Sequence, residues 1–120
     1  MQSLVLVGLP GSGKSTVGRS LARRLNLPFS DSDHAIEQRL GCSIREFFAR
    51  GGEARFRDIE QEVLTELAAA EPRVLATGGG AVLREANRAV LCGAGHVLFL
   101  RSTPEELFPR LRHDTQPPLL

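Results

Sequence analysis

Between the apolar run Leu4-Val5-Leu6-Val7 and the helically spaced Val17, Leu21 and Leu25 lies the segment Gly8-Leu9-Pro10-Gly11-Ser12-Gly13-Lys14-Ser15-Thr16. The segment is a complete match to G-x-x-x-x-G-K-S. Its flanks are a strand-type run before and an amphipathic helix after. Strand, glycine loop and helix, in that order, is the context this pattern requires.

The physics of such a loop is anion binding. Gly8, Gly11 and Gly13 lack a Cβ and let the backbone close around a phosphate. Successive N–H groups then point inward, and the helix start adds unpaired N–H groups and the positive end of its dipole. Gly11, Ser12, Gly13, Lys14, Ser15 and Thr16 are the expected nucleotide-binding residues. Lys14 reaches the β- and γ-phosphates as a point charge, and the Ser15 hydroxyl suits a Mg²⁺ ion. Thr16 has the lesser part.

With 120 residues and 42% hydrophobic content, one domain with a single core is expected. A formal net charge of +1 gives no reason to invoke nucleic acid or an anionic membrane. No apolar stretch has the length of a bilayer span, and the N-terminus opens on a strand instead of a signal-type segment. Cys42 and Cys92 stand too far apart for a metal or redox motif, and two isolated thiols fit a reducing cytoplasm. A monomer is the expectation. Repeats and low-complexity tracts are absent from the sequence.

Strand and helix signals alternate. A strand over 3–8 is followed by the loop and a helix near 14–25. Phe29-Ser30 starts a short second strand that stops at Asp31-Ser32-Asp33. A helix near 34–40 ends at Gly41, and Ser43-Ile44-Arg45-Glu46 opens a short helix to about Ala49 as a capping box. Gly51-Gly52 interrupts, and a longer helix runs from Glu53 to Ala70, with Phe56, Ile59, Val63 and Leu67 on one face. Val74-Leu75-Ala76 is a buried strand, then come Gly78-Gly79-Gly80, a helix near 84–91 and a strand over 96–100. Thr103-Pro104-Glu105-Glu106 starts a last helix that fades near Arg112. This alternation predicts an α/β fold with a parallel sheet covered by helices on both faces.

Asp31 and Asp33 fall where a strand ends, and ligands of open parallel sheets bind at the carboxyl ends of strands. If the strand persists, its period of two aims both carboxylates the same way. An N-cap role for Asp33 is the plain alternative. The glycine run 78–80 permits close backbone approach to a ligand, or is simply a turn.

Taken together, the glycine loop, Asp31-Ser32-Asp33, Gly51-Gly52-Glu53, Phe56-Arg57 with Ile59-Glu60, and Thr77-Gly78-Gly79-Gly80-Ala81 resemble the shikimate kinases over essentially the whole chain. The resemblance implies a three-layer sandwich of the P-loop, nucleoside monophosphate kinase-like type, with sheet order 2-3-1-4-5. It implies MgATP-dependent phosphorylation of the 3-hydroxyl of shikimate, in aromatic amino-acid biosynthesis. Lys14 and Asp33 are then the catalytic residues, Asp33 also being the hydroxyl ligand and candidate base. Arg57 grips the shikimate carboxylate with two parallel hydrogen bonds; Glu60, three residues on along the same helix, is within reach to hold the guanidinium, an ordinary surface ion pair being the alternative. Gly79 and Gly80 offer backbone contacts to shikimate, while Asp31 and Ser15 serve the Mg²⁺. Arg110 matches the arginine lying over adenine. Phe56 is a pocket wall or a core residue.

Two departures stand out. Where the family's lid carries Arg-Pro-Leu-Leu, this sequence reads Pro117-Pro118-Leu119-Leu120, so a cation over the phosphates is replaced by proline. The sequence also stops inside that lid (about 111–120), so the last strand of the family order is expected to be missing. The single P-loop kinase domain is therefore expected to span 1–120. A non-catalytic nucleotide-binding module, or another small-molecule kinase such as a gluconate or nucleoside-phosphate kinase, is the competing reading.

Overall fold

The structure is a computed structural model that describes residues 2–8 and 13–100. The elements are β1 (Ser3–Gly8), α1 (Lys14–Leu25), β2 (Phe29–Asp31), α2 (Ser32–Leu40), α3 (Ile44–Ala49), α4 (Glu53–Ala69), β3 (Val74–Ala76), α5 (Glu85–Ala94) and β4 (Gly95–Leu100). The strands form one sheet of order β2-β3-β1-β4 with every pairing parallel. That is the order the resemblance implies, as far as the described residues reach. The expected helix over 103–112, Arg110 and Pro117 lie outside the described residues, as do Gly11 and Ser12.

The apolar runs of β1 and β3 are continuous because both strands are covered on both faces. Side chains alternate across the sheet. Val5, Val7 and Leu75 meet Leu64 of α4 and Leu91 of α5 on one face. Leu6 and Val74 meet Val17 and Ala22 of α1 on the other. This gives three layers. A satellite cluster of Ile36, Phe56 and Val63 ties α2 to α4 outside the main core. Among the described residues, no helix is long and apolar enough to cross a membrane.

Local chemistry explains most boundaries. Gly41 closes α2 in the left-handed region, φ 73°, and the Ser43 hydroxyl accepts from the Glu46 N–H at 3.1 Å to start α3. The Glu37 carboxylate, one turn before the end of α2, accepts from the Ile44 N–H at 2.9 Å and couples the two helices. Arg39 grips Glu66 at 2.5 and 2.9 Å and links α2 to α4 at the surface.

Two expected boundaries are corrected. The helix expected from residue 34 begins at Ser32, because Asp31 caps it: its Oδ1 accepts from the Asp33 N–H at 2.9 Å and the His34 N–H at 3.4 Å. β2 therefore ends at Asp31, and Asp33 lies in the first helical turn. The two carboxylates do not share one face of a strand, and the alternative N-cap role belongs to Asp31. The helix expected over 84–91 runs from Glu85 to Ala94. Gly93 is tolerated inside it, and β4 follows at once at Gly95.

Ser32 is fully buried, and among the described residues its Oγ has no partner. An unsatisfied buried hydroxyl costs free energy, whereas alanine removes it at nearly the same shape. Ser32→Ala should therefore raise the unfolding free energy by about 1 kcal/mol, read as a higher urea midpoint with an unchanged slope. A lower midpoint would mean that the hydroxyl has a partner after all.

Candidate active site

The site gathers at the carboxyl ends of β1, β2 and β3, where an open parallel sheet places ligands. Its centre is the start of α1. Gly13 occupies the N-cap position with φ 84° and ψ 24°, a left-handed conformation that a Cβ would strain. Among the described residues no side chain caps this helix, and its first turn holds no acidic residue. Elsewhere α2 and α3 are capped by Asp31 and Ser43, and α4 and α5 carry Glu53 and Glu85 in their first turns. The start of α1 has instead the basic Lys14. Its N–H groups and dipole are left for an external anion.

Lys14 reaches back to the end of β1, donating from Nζ to the Gly8 carbonyl at 2.9 Å. Burial pulls its pKa down, while the charges of Asp33 and Asp31 push it up. Ser15 donates its hydroxyl to Asp31 Oδ2 at 2.5 Å, across 16 residues of sequence. Both oxygens of Asp31 are therefore used, one on the α2 N-terminus and one on Ser15. Thr16 is exposed on the first turn.

Asp33 stands in a different environment. Burial raises its pKa to about 6 from the ordinary 3.8, with Asp31 and Glu60 adding to the rise, Lys14 opposing it and Glu37 adding a little more. The folded chain thus holds this proton more tightly than the unfolded chain does. The associated stabilisation is fully present below pH 3.8 and is lost as pH rises through about 6. The carboxyl carbon of Asp33 should titrate near pH 6 by NMR in the ligand-free protein, and Asp31→Asn should move that midpoint down. An unmoved midpoint would show that the two carboxylates do not sense each other.

Opposite stands Arg57 on α4. Its Nη1 donates to Glu60 Oε1 at 3.0 Å, and Glu60 is only 1% exposed. The glutamate of the pair is therefore buried and its arginine partly so, unlike the surface pair that i,i+3 spacing alone permits. The guanidinium also lies 5.1 Å from the Phe56 ring centroid and 5.9 Å from that of Phe48. Phe56 is both a core residue, 3% exposed, and a wall beneath the arginine.

The glycine run after β3 makes room for both of these side chains. A Cβ on Gly80 would collide with Nη1 of Arg57 and lie 2.7 Å from its Cζ. A Cβ on Gly78 would collide with Oδ1 of Asp33 and lie 3.1 Å from its Cγ. Gly79 between them is exposed. Gly78 was not among the expected site residues. Its signal was its place two residues past a buried strand, which does not reveal the partner.

The site thus combines an uncapped helix start with a lysine, a hydroxyl–carboxylate pair, a second carboxylate that titrates near 6, and a fixed guanidinium. Comparison with known proteins bears on the family. The family model described as "Shikimate kinase" matches residues 10–120. A shikimate kinase of Paracidovorax citrulli is 62% identical over 120 residues, covering 98% of this chain and 66% of that protein. One of Ralstonia nicotianae is 52% identical, covering 100% and 63%. The structure of an Acinetobacter baumannii shikimate kinase in complex with shikimate superposes with a TM-score of 0.82 at 43% identity, covering 96% of this chain and 64% of that one. The chain spans about two thirds of the length of these relatives. Its glycine loop, aspartate pair, Arg57 and triple glycine together with these matches make it a member of the shikimate kinase family.

Proposed function

We propose that the protein transfers the γ-phosphoryl group of ATP to the 3-hydroxyl of shikimate, giving shikimate 3-phosphate and ADP. The observation that carries this reading is the uncapped, acid-free start of α1 facing the carboxylates of Asp31 and Asp33. Backbone N–H groups of the loop, with Gly11, Ser12, Gly13, Ser15 and Thr16, hold the phosphates. Lys14 supplies positive charge to the transferring group, and Arg110 is assigned to the adenine from sequence. Arg57 binds the shikimate carboxylate, and Gly79 and Gly80 line the ring. Asp33 orients the 3-hydroxyl and takes its proton as the oxygen bonds to phosphorus and the bond to ADP breaks. Phosphoryl transfer has a loose transition state, so alignment and charge outweigh proton removal.

The adjacent oxygens of Ser15 and Asp31 suit a small hard cation. They would hold Mg²⁺, Asp31 through water. Among the described residues no cluster of three acidic, histidine or cysteine side chains competes for a metal. An ion that keeps its waters and takes phosphate oxygens needs no such cluster. When bound, Mg²⁺ neutralises charge on the β- and γ-oxygens. Residues 1–120 are proposed to belong to one P-loop kinase domain, of a monomer in the cytoplasm, consistent with the two unpaired thiols.

The test is ADP release with shikimate, gluconate and nucleoside monophosphates as acceptors. Turnover only with a nucleoside monophosphate, or ATP binding without shikimate-dependent ADP release, would overturn the assignment. Arg57→Ala is a poor companion variant, because it leaves Glu60 buried and alone, a loss of roughly 3–5 kcal/mol. Arg57→Lys keeps the charge and loses the fork. It should raise the KM for shikimate about tenfold and leave that for ATP within about twofold. Equal loss for both substrates would make Arg57 structural.

A further inference from the structure

Along α1, away from the glycine loop, Arg19, Ala22, Arg23 and Asn26 line one side of a crevice of about 620 Å³ whose other side is segment 27–29. Arg19 and Arg23 stand roughly 7.5 and 13.5 Å along the helix axis from Lys14. Phe29 opens β2, whereas Asp31 closes it. The crevice is therefore separate from the site above.

Its walls differ in character. Leu27, Pro28 and Phe29 are apolar, and on the helix side the exposed Arg19 and Arg23 stand about one turn apart. Arg39, Arg57 and Arg84 each face a carboxylate. Arg19 and Arg23 face none among the described residues, and like charges at i,i+4 on a helix repel. Arg19 instead lies over a ring, its Cζ 4.9 Å from the Phe29 ring centroid. A guanidinium stacked on a ring keeps its in-plane donors for another group. The ring is held against α1 by Gly18, where a Cβ would come 2.6 Å from Phe29 Cε1. A glycine in the middle of a helix is unfavourable for the helix itself, and here it lets the ring of Phe29 lie close.

We propose that this crevice is a second binding site, for a small organic oxyanion, a carboxylate or phosphate monoester carried on an apolar body. The oxyanion lies between Arg19 and Arg23, whose forks match its geometry and whose repulsion it relieves. The apolar body lies against Leu27, Pro28 and Phe29. The volume falls within the range of about 300–1,000 Å³ usual for small-molecule sites.

NMR on the isotopically labelled protein tests this, with phenyl phosphate and benzoate as probes and inorganic phosphate as the bare anion. The expected result is saturable shifts at the Arg19 and Arg23 Nε–H groups and the Phe29 amide. At least one aryl anion should bind about tenfold more tightly than inorganic phosphate, because of the buried ring. Phenyl phosphate alone would mark the site as one for phosphate monoesters, and benzoate alone as one for carboxylates. Arg19→Gln with Arg23→Gln should abolish these shifts without altering the signals of residues 14–16. Should that pair disturb the fold, Arg23→Gln alone keeps the Arg19–Phe29 stack and should still weaken binding about fivefold. Shifts confined to residues 14–16, or equal affinity for all three anions (an adventitious ion only), would overturn the proposal.

Discussion

Gly80→Ala should yield a folded protein whose KM for shikimate is raised about 100-fold, since losing one partner of a desolvated, hydrogen-bonded charge pair costs about 2–5 kcal/mol. The added methyl would fall on the Arg57 guanidinium, the far end of a flexible side chain and not main chain. The fold can therefore yield without unfolding. The guanidinium cannot yield without cost, because it is hydrogen-bonded to the buried Glu60 at 3.0 Å and backed by Phe56. It must leave either its partner or its aim. Affinity for ATP should stay within about twofold, because the displaced group does not touch the α1 N-terminus. Steady-state kinetics with each substrate varied, alongside a thermal melt, separates the outcomes. A large loss of melting temperature would show that the guanidinium leaves Glu60 and not its aim, and an unchanged KM would place the shikimate carboxylate elsewhere.

Lys14→Met should weaken ATP binding at least about 100-fold and lower turnover by about 10²–10³-fold, the usual loss for one preorganised charge at a transition state. Methionine keeps much of the stem and removes the ammonium that donates to Gly8. The same ammonium offsets the negative charge of Asp31 and Asp33. Without it, the Asp33 carboxyl should titrate higher than about 6, because Lys14 is what pulls that value down. Calorimetry with ATP reads the first effect and NMR titration the second. The two readouts fail separately. Retained ATP affinity with a raised Asp33 titration would assign Lys14 to Asp33 and leave the phosphates to the backbone alone.

Some parts of the site were legible because they are local. The N-terminus of α1 follows from glycine, lysine and hydroxyl residues spaced as one turn after a strand. The Arg57–Glu60 pair follows from i,i+3 neighbours on one helix. The element order followed from periodicity and breakers, and errors gathered at ends. The start of α2 was misplaced by two residues, because Asp31 and Asp33 are both competent caps and only the path of β2 decides which one is used. The burial of Glu60 was not legible either. An i,i+3 pair reads the same on a wet surface as with its glutamate buried and its arginine over Phe48 and Phe56.

The sequence by itself determined that this chain winds a parallel sheet around a phosphate loop, and which residue types stand near it, because hydrophobic period, glycine placement and capping act over a few residues. Only the tertiary structure decided that Ser15 meets Asp31, that Gly78 yields space to Asp33, and that Gly80 yields it to Arg57. These contacts join residues 16 to 45 positions apart in sequence. Their distances are set by strand pairing and helix packing, which no local spacing encodes.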